Sequence, residues 1–117
     1  MTIAIVILNW NGRALLEQFL PSVLLHSAQA TIYLADNAST DDSVAFVQER
    51  YPADIRIVQN TENLGYAGGY NAALQHIQAD VYCLLNSDVA VTEGWLHPII
   101  EAFANDETLA IAQPKLL

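Results

Sequence analysis

Positive charge is scarce in this 117-residue chain: four Lys/Arg stand against thirteen Asp/Glu, a formal net charge of −9. Such a surface repels phosphate backbones and anionic lipid at long range, so a nucleic-acid partner is not expected. An acidic chain still holds one phosphorylated small molecule where a divalent cation or backbone N–H groups supply the positive field. Cysteine is nearly absent too. Cys83 stands alone, which excludes an internal disulfide and a multi-cysteine zinc site and fits a reducing, cytoplasmic compartment. The opening apolar run, residues 3–8, falls far short of the ~20 residues of a bilayer span, and no basic segment precedes it as in a signal peptide. The three histidines, His26, His76 and His97, lack H-E-x-x-H spacing, so neither a zinc site nor a nucleophilic triad has support. The G-x-G-x-x-G and G-x-x-x-x-G-K-[ST] patterns are missing as well, which removes the main argument for a dehydrogenase or an ATPase.

What is present is apolar: 53% hydrophobic against 15% charged residues, enough to build one core but not two at this length. The apolar residues come as short β-branched runs alternating with amphipathic stretches. Strands are predicted over 3–8, 31–35, 55–58, 81–85 and 109–112; helices over 14–26, after the second strand through about Arg50, over 68–78 and over 93–104. The first helix places Leu15, Phe19, Leu20, Val23 and Leu24 on one face, with Pro21 expected to kink or divide it. Ser39 and Asp42 have the spacing of a capping box for the second helix. The alternation predicts an α/β fold, a mostly parallel sheet with helices on both faces, in a single domain spanning 1–117.

In open α/β sheets ligands bind beyond the carboxyl ends of the strands, and there the sequence turns polar. The runs end in Asn9-Trp10-Asn11-Gly12, Asp36-Asn37-Ala38-Ser39, Gln59-Asn60-Thr61-Glu62-Asn63 and Asn86-Ser87-Asp88. Singly, such residues make turns and caps; jointly they suggest one crevice. Asp88, emerging from a very apolar strand, reads either as a turn residue or as a ligand for a hard cation, Mg²⁺ or Mn²⁺, shared with a diphosphate. Asp36 either caps the turn into the second helix or accepts hydrogen bonds from a base or ribose. The glycine-rich segment from Asn63 to Asn71 allows close backbone approach to a ligand. Asn37-Ala38-Ser39 also matches the glycosylation tripeptide, a pattern short enough to recur by chance.

Five ordered blocks carry a resemblance: Ile7-Leu8-Asn9-Trp10-Asn11-Gly12, Asp36-Asn37-Ala38-Ser39-Thr40-Asp41, Asn63-Leu64-Gly65-Tyr66-Ala67-Gly68-Gly69-Tyr70-Asn71, Leu84-Leu85-Asn86-Ser87-Asp88 with Gly94-Trp95-Leu96, and Pro114-Lys115-Leu116-Leu117. Together they resemble the N-terminal half of family 2 glycosyltransferases of the GT-A fold, a Rossmann-like nucleotide-binding half, and especially the rhamnosyltransferase-like branch. The resemblance implies a site for a nucleotide-diphosphate sugar, a UDP- or dTDP-sugar, lined by Asn9, Trp10, Asn11, Asp36, Asn37, Asn63, Gly65, Asn71, Asn86, Ser87 and Asp88. Asn86-Ser87-Asp88 looks like the family's D-x-D element with Asn in first place, so Asp88 would hold the divalent cation, Mg²⁺ or Mn²⁺, and Asn86 the ribose or diphosphate. It further implies inverting transfer of the sugar to a glycan or lipid-linked acceptor hydroxyl in polysaccharide biosynthesis, in the cytoplasm or at the inner face of the membrane.

In that family the second half of the fold supplies the acceptor site and the general base. No residue here matches the base, which is expected beyond Leu117, so the chain reads as a donor-binding fragment, inactive alone, with self-association expected through an uncovered sheet edge. A noncatalytic nucleotide- or sugar-nucleotide-binding module is the alternative. A nucleotidyltransferase would need a basic triphosphate loop near the first helix, where Arg13 stands alone, and a phospho-receiver would want acidic residues where Asn9 and Asn60 stand.

Overall fold

The computed structural model describes residues 1–106, so the strand expected over 109–112 and the Pro114-Lys115-Leu116-Leu117 block lie outside the described residues. The element order is β1 (Ile3–Asn9), α1 (Arg13–His26), β2 (Thr31–Asp36), α2 (Ser43–Arg50), β3 (Ile55–Gln59), α3 (Gly65–Leu74), β4 (Val81–Asn86) and α4 (His97–Asn105). The four strands form one parallel sheet in the order β3-β2-β1-β4. β1 is central and buried on both faces, which is why its sequence is a continuous apolar run rather than an alternating one.

The two faces divide by parity. Ile5 and Ile7 of β1 join Ile32, Leu34, Ile55 and Leu85 beneath Leu16, Leu20 and Val23 of α1 and Phe46 and Val47 of α2. Ala4 and Val6 point the other way, with Ala35, against Tyr70 and Ala73 of α3 and the following Ile77. The parallel sheet with helices on both faces is therefore as the β-α alternation predicts. At the open end of β1, the Thr2 N–H donates to Asp80 Oδ2 (2.7 Å) and the Asp80 N–H to Thr2 Oγ1 (2.9 Å), fixing β1 against β4. β4 is an edge strand among the described residues, and its own Tyr82 and Leu84 are exposed.

Four local expectations are corrected. Pro21 does not divide α1, which runs unbroken from Arg13 to His26. Both Pro21 and Glu17, whose carbonyl loses the missing N–H, lie on the exposed side, where water replaces the bond. The buried stripe of α1 is Leu16, Leu20 and Val23 (i, i+4, i+7), and Leu15 is turned outward, 39% exposed. α3 starts at Gly65 instead of residue 68, because Asn63 Oδ1 accepts the Gly65 N–H (2.9 Å) and opens the helix early. α4 starts at His97 instead of residue 93: Gly94 has φ +77, outside helical space, and Pro98 suits the first turn.

Because the water-facing carbonyl of Glu17 is available to a restored N–H, Pro21→Ala should stabilise the protein. The helix-interior penalty of ~3 kcal/mol, less the rigidity proline confers on the unfolded chain, leaves about 2 kcal/mol. Urea unfolding of the two proteins measures it; an unchanged or lower midpoint would show that the α1 backbone has adapted around the proline.

Candidate functional site

Parallel pairing puts all four strand exits on one rim. Asn9 lies level with Asp36, Asp36 with Gln59, and Leu8 with Asn86. From β1 the chain moves outward to β2 and β3 and then returns to pair β4 on the other side of β1, so the topological switch point falls between β1 and β4. Asn9 and Asn86 flank that point. Trp10 is 55% exposed at the β1 exit. Asn86 and Asp88 are exposed, Ser87 is half-buried, and the Asp88 carboxylate has no hydrogen-bond partner among the described residues. The segment after it is held against α1 by bonds from the Val91 N–H to Ser22 Oγ (3.2 Å) and from Trp95 Nε1 to Ser27 Oγ (3.0 Å).

One wall of the rim is a staple between the loops leaving β1 and β2. Asp36, 1% exposed, accepts from Asn9 Nδ2 (3.0 Å), Ser39 Oγ (2.7 Å) and the Ser39 N–H (2.9 Å). Ser39 Oγ in turn accepts from Asn9 Nδ2 (3.3 Å) and the Asn11 N–H (2.9 Å). Asn11, held at φ 50, accepts on Oδ1 from the N–H groups of Thr40 (2.7 Å) and Asp41 (3.1 Å). Asp41 receives the Arg13 N–H on Oδ2 (3.3 Å), and on Oδ1 both the N–H and the hydroxyl of Ser43. Ser39 and Asp42 thus form no capping box: Ser39 is bonded into the Asp36 turn, and Asp41 serves the first residue of α2. Of the two readings of Asp36, the geometry displays the turn-closing one. Asn9 Oδ1 is buried without a partner, and a Cβ on Gly12 would lie 2.7 Å from it.

The opposite wall is built from amides. Asn37, 2% exposed, donates from Nδ2 to Asn63 Oδ1 (3.1 Å) and to the Gly65 carbonyl (2.9 Å). Its Oδ1 accepts from Asn60 Nδ2 (3.0 Å) and the Leu64 N–H (3.3 Å), so every polar valence of the side chain is engaged within the protein. Its burial also removes it as a glycosylation acceptor. Gly69 rests directly on this amide: a Cβ there would sit 2.7 Å from Asn37 Nδ2 and 2.8 Å from Leu8 Cδ1. Asn71 is exposed on the second turn of α3, and Gly65 has φ +75 at the helix start.

Tyr66 and Tyr70, one turn apart on α3, reach across to β4. Tyr70 donates to the Leu85 carbonyl (3.0 Å) and Tyr66 to Asn86 Oδ1 (3.0 Å), with the two rings packed edge to face at 5.1 Å. Burial pushes the Tyr70 hydroxyl far above its usual range, so it stays a proton donor. Neither tyrosine, nor Asn60, is among the residues selected from the sequence as site residues; their signal was the i, i+4 spacing of two aromatics beside the glycines. Burial also pushes the Cys83 thiol up to about 11, which excludes thiolate chemistry near neutral pH. Arg13 is stacked over Phe46 (4.7 Å) and paired with Glu17 (3.6 Å). Among the described residues no group of three or more His, Cys, Asp or Glu side chains forms a metal cage, and no helix is long and apolar enough to cross a membrane.

Two substitutions test these walls. Gly69→Ala gains ~1 kcal/mol of helix propensity but displaces an Asn37 amide held by four bonds, each buried group left unpaired costing about 1–3 kcal/mol; a net loss of about 2–4 kcal/mol is expected in chemical denaturation. For Asp41, burial alone would raise the pKa, but the bonds from the Ser43 hydroxyl and N–H and from the Arg13 N–H outweigh it and hold the group below the usual carboxylate range. A depressed folded-state pKa gives stability that is present above the unfolded value and lost as pH falls through the folded one. Asp41→Asn should therefore destabilise at neutral pH and lose its effect in acid below the depressed pKa, and a difference independent of pH would contradict the staple.

The family model for "Glycosyl transferase family 2" matches residues 4–115. Polypeptide N-acetylgalactosaminyltransferase 6 of Bos taurus is 32% identical over 95 residues, 79% of this chain and 15% of that enzyme. The chain thus spans less than a sixth of the curated relatives it matches. Among solved structures, S. aureus TarS 1–349 superposes with a TM-score of 0.76 at 16% identity, covering 98% of this chain and 39% of TarS 1–349, and it is also known in complex with UDP-GlcNAc. The mannosyltransferase PcManGT from Pyrobaculum calidifontis, in complex with GDP-Man and Mn²⁺, gives 0.67 at 23% identity over 75% of this chain and 28% of its own. The fold is that of the nucleotide-binding half of a GT-A enzyme, and the chain belongs to glycosyltransferase family 2.

Proposed function

We propose that residues 1–117 form the donor half of a glycosyltransferase of the rhamnosyltransferase-like branch, which binds a nucleotide-diphosphate sugar across the crevice between β1 and β4. The observation that carries this is the Asp88 carboxylate: without a hydrogen-bond partner among the described residues, exposed, and on the same rim as the Asn9–Asp36 staple. In this reading Asn9, Trp10 and Asn11 with the Asp36 turn border the nucleoside, the Asn63–Asn71 segment forms the facing wall, and Asn86, Ser87 and Asp88 face the ribose and diphosphate. UDP-GlcNAc and UDP on TarS and GDP-Man on PcManGT support a nucleotide-sugar ligand; we infer a uridine or thymidine base.

A single free carboxylate suits a hard cation that takes one or two protein oxygens and completes its shell with phosphate and water. Asp88 would hold Mg²⁺ or Mn²⁺, and PcManGT is in complex with Mn²⁺ as well as GDP-Man. When bound, the cation neutralises charge on the departing diphosphate. The reaction proposed is inverting: an acceptor hydroxyl forms a bond to the anomeric carbon while the carbon–oxygen bond to the nucleoside diphosphate breaks, and the hydroxyl proton passes to a carboxylate base. No described residue is assigned as that base, and the acceptor, a glycan or lipid-linked saccharide on the cytoplasmic side, is bound by other polypeptide.

Calorimetric titration of UDP, dTDP and GDP, with Mn²⁺ and with chelator, tests the reading. At least one diphosphate should bind in a metal-dependent way, and Asp88→Ala should weaken it at least about tenfold, the equivalent of one lost charged contact. Binding that needs no metal and survives in Asp88→Ala would instead identify a noncatalytic nucleotide-binding module.

A further inference from the structure

Tyr66 is 63% exposed, yet its hydroxyl is engaged with a side chain twenty residues away, donating to Asn86 Oδ1 at 3.0 Å. A solvated tyrosine has no need of such a partner, and what fixes it is its neighbour. Tyr70, 3% exposed and bonded to the Leu85 carbonyl, packs edge to face against the Tyr66 ring. The two hydroxyls thereby grip consecutive residues at the exit of β4, one by its main chain and one by its side chain.

The grip decides which half of the Asn86 amide is free. A hydroxyl donor on Oδ1 uses the acceptor, and Nδ2, with two N–H donors, has no partner among the described residues. An aspartate at this position would accept the same bond but leave a second carboxylate oxygen, an acceptor that repels phosphate. Asn86 leaves donors instead, two residues before the Asp88 carboxylate. We propose that Tyr66 is a positioning residue, holding the Asn86 amide so that its N–H groups are available to an anionic diphosphate oxygen of the bound donor. This rests on the donor-site reading and adds to it a residue that acts through Asn86 rather than on the ligand.

The test is a double-mutant cycle on the intact chain, with Tyr66→Phe, Asn86→Ala and the pair, titrated in Mn²⁺ with whichever of UDP, dTDP or GDP binds the wild type and, by NMR, with the corresponding nucleoside. Tyr66→Phe keeps the ring and its packing on Tyr70. It should weaken the diphosphate about 3- to 10-fold, and Asn86→Ala about 5- to 20-fold, in the range of one hydrogen bond to a charged group. The double variant should be no weaker than Asn86→Ala by more than about twofold, because the two residues act as one unit. Nucleoside affinity should be unchanged in Tyr66→Phe, whereas a purely structural role would weaken both ligands together. Tyr66→Phe binding the diphosphate like the wild type, multiplicative losses, or equal losses for nucleoside and diphosphate would each overturn the proposal while leaving the donor site standing. A wild type that binds no nucleotide would instead bring down the donor-site reading, and this role with it.

Discussion

The carboxylate of Asp36, 1% exposed at the end of β2, is the constraint around which the rim is arranged. An ionised carboxyl taken out of water costs several kcal/mol unless donors replace the lost hydration. Here the donors are Asn9 Nδ2 and the hydroxyl and N–H of Ser39. Satisfying the charge therefore requires the β1 exit and the β2 turn to meet at one place. Once they meet, Asn11 and Asp41 complete the contact between the same two loops. The ladder also continues past the strands, the Asn37 N–H donating to the Asn9 carbonyl and the Asn60 N–H to the Asp36 carbonyl, both at 2.8 Å. A buried charge thus becomes the reason that three loops keep a common edge.

Amides do the remaining work because they bond in both directions without adding charge. Seven of the eight asparagines, all but Asn105, lie at strand exits or on α3. In a chain of net charge −9, carboxylates in those places would set up a field hostile to any diphosphate. Asn37 shows the physical use most clearly: two donors and two acceptor contacts join the β2 exit, the β3 exit and the start of α3. Only a glycine at position 69 allows α3 to settle on that amide.

Much of the fold was legible because β1 is short, β-branched and buried on both faces, its neighbours are apolar runs of similar length, and α/β alternation leaves few topologies open. The rim was legible as a place, since polar residues after apolar runs are visible in one dimension. Their division of labour was not. Nothing local distinguishes Asn37, fully bonded within the protein, from Asn71, exposed on α3, because the difference lies in residues 23 to 28 positions away. The Ser39–Asp42 spacing suggested a cap, but a buried carboxylate competes for the same hydroxyl and prevails. Leu15 and Leu16 differ by one position in a helix whose phase is set by the sheet beneath it, and Gly94 moved the start of α4 through a φ that sequence periodicity does not register.

Charge then explains why the two sides of the crevice are built differently. On the β1–β2 side two carboxylates are tied down: Asp36 by three donors, Asp41 by Arg13 and Ser43. On the β4 side the carboxylate of Asp88 has no partner among the described residues, and the residue two positions before it is an amide whose acceptor is already taken by Tyr66. An anion approaching the β4 side of this rim meets amide and backbone donors and the Asp88 carboxylate, which has no partner among the described residues. Left bare, that charge opposes the ligand; bridged by a divalent cation, it becomes the point of strongest attraction, because the cation's charge exceeds that of the single carboxylate. In the donor reading proposed above, affinity for a diphosphate would thus be conditional on metal, a conditionality that a second inward-tied carboxylate, or an amide at position 88, would erase.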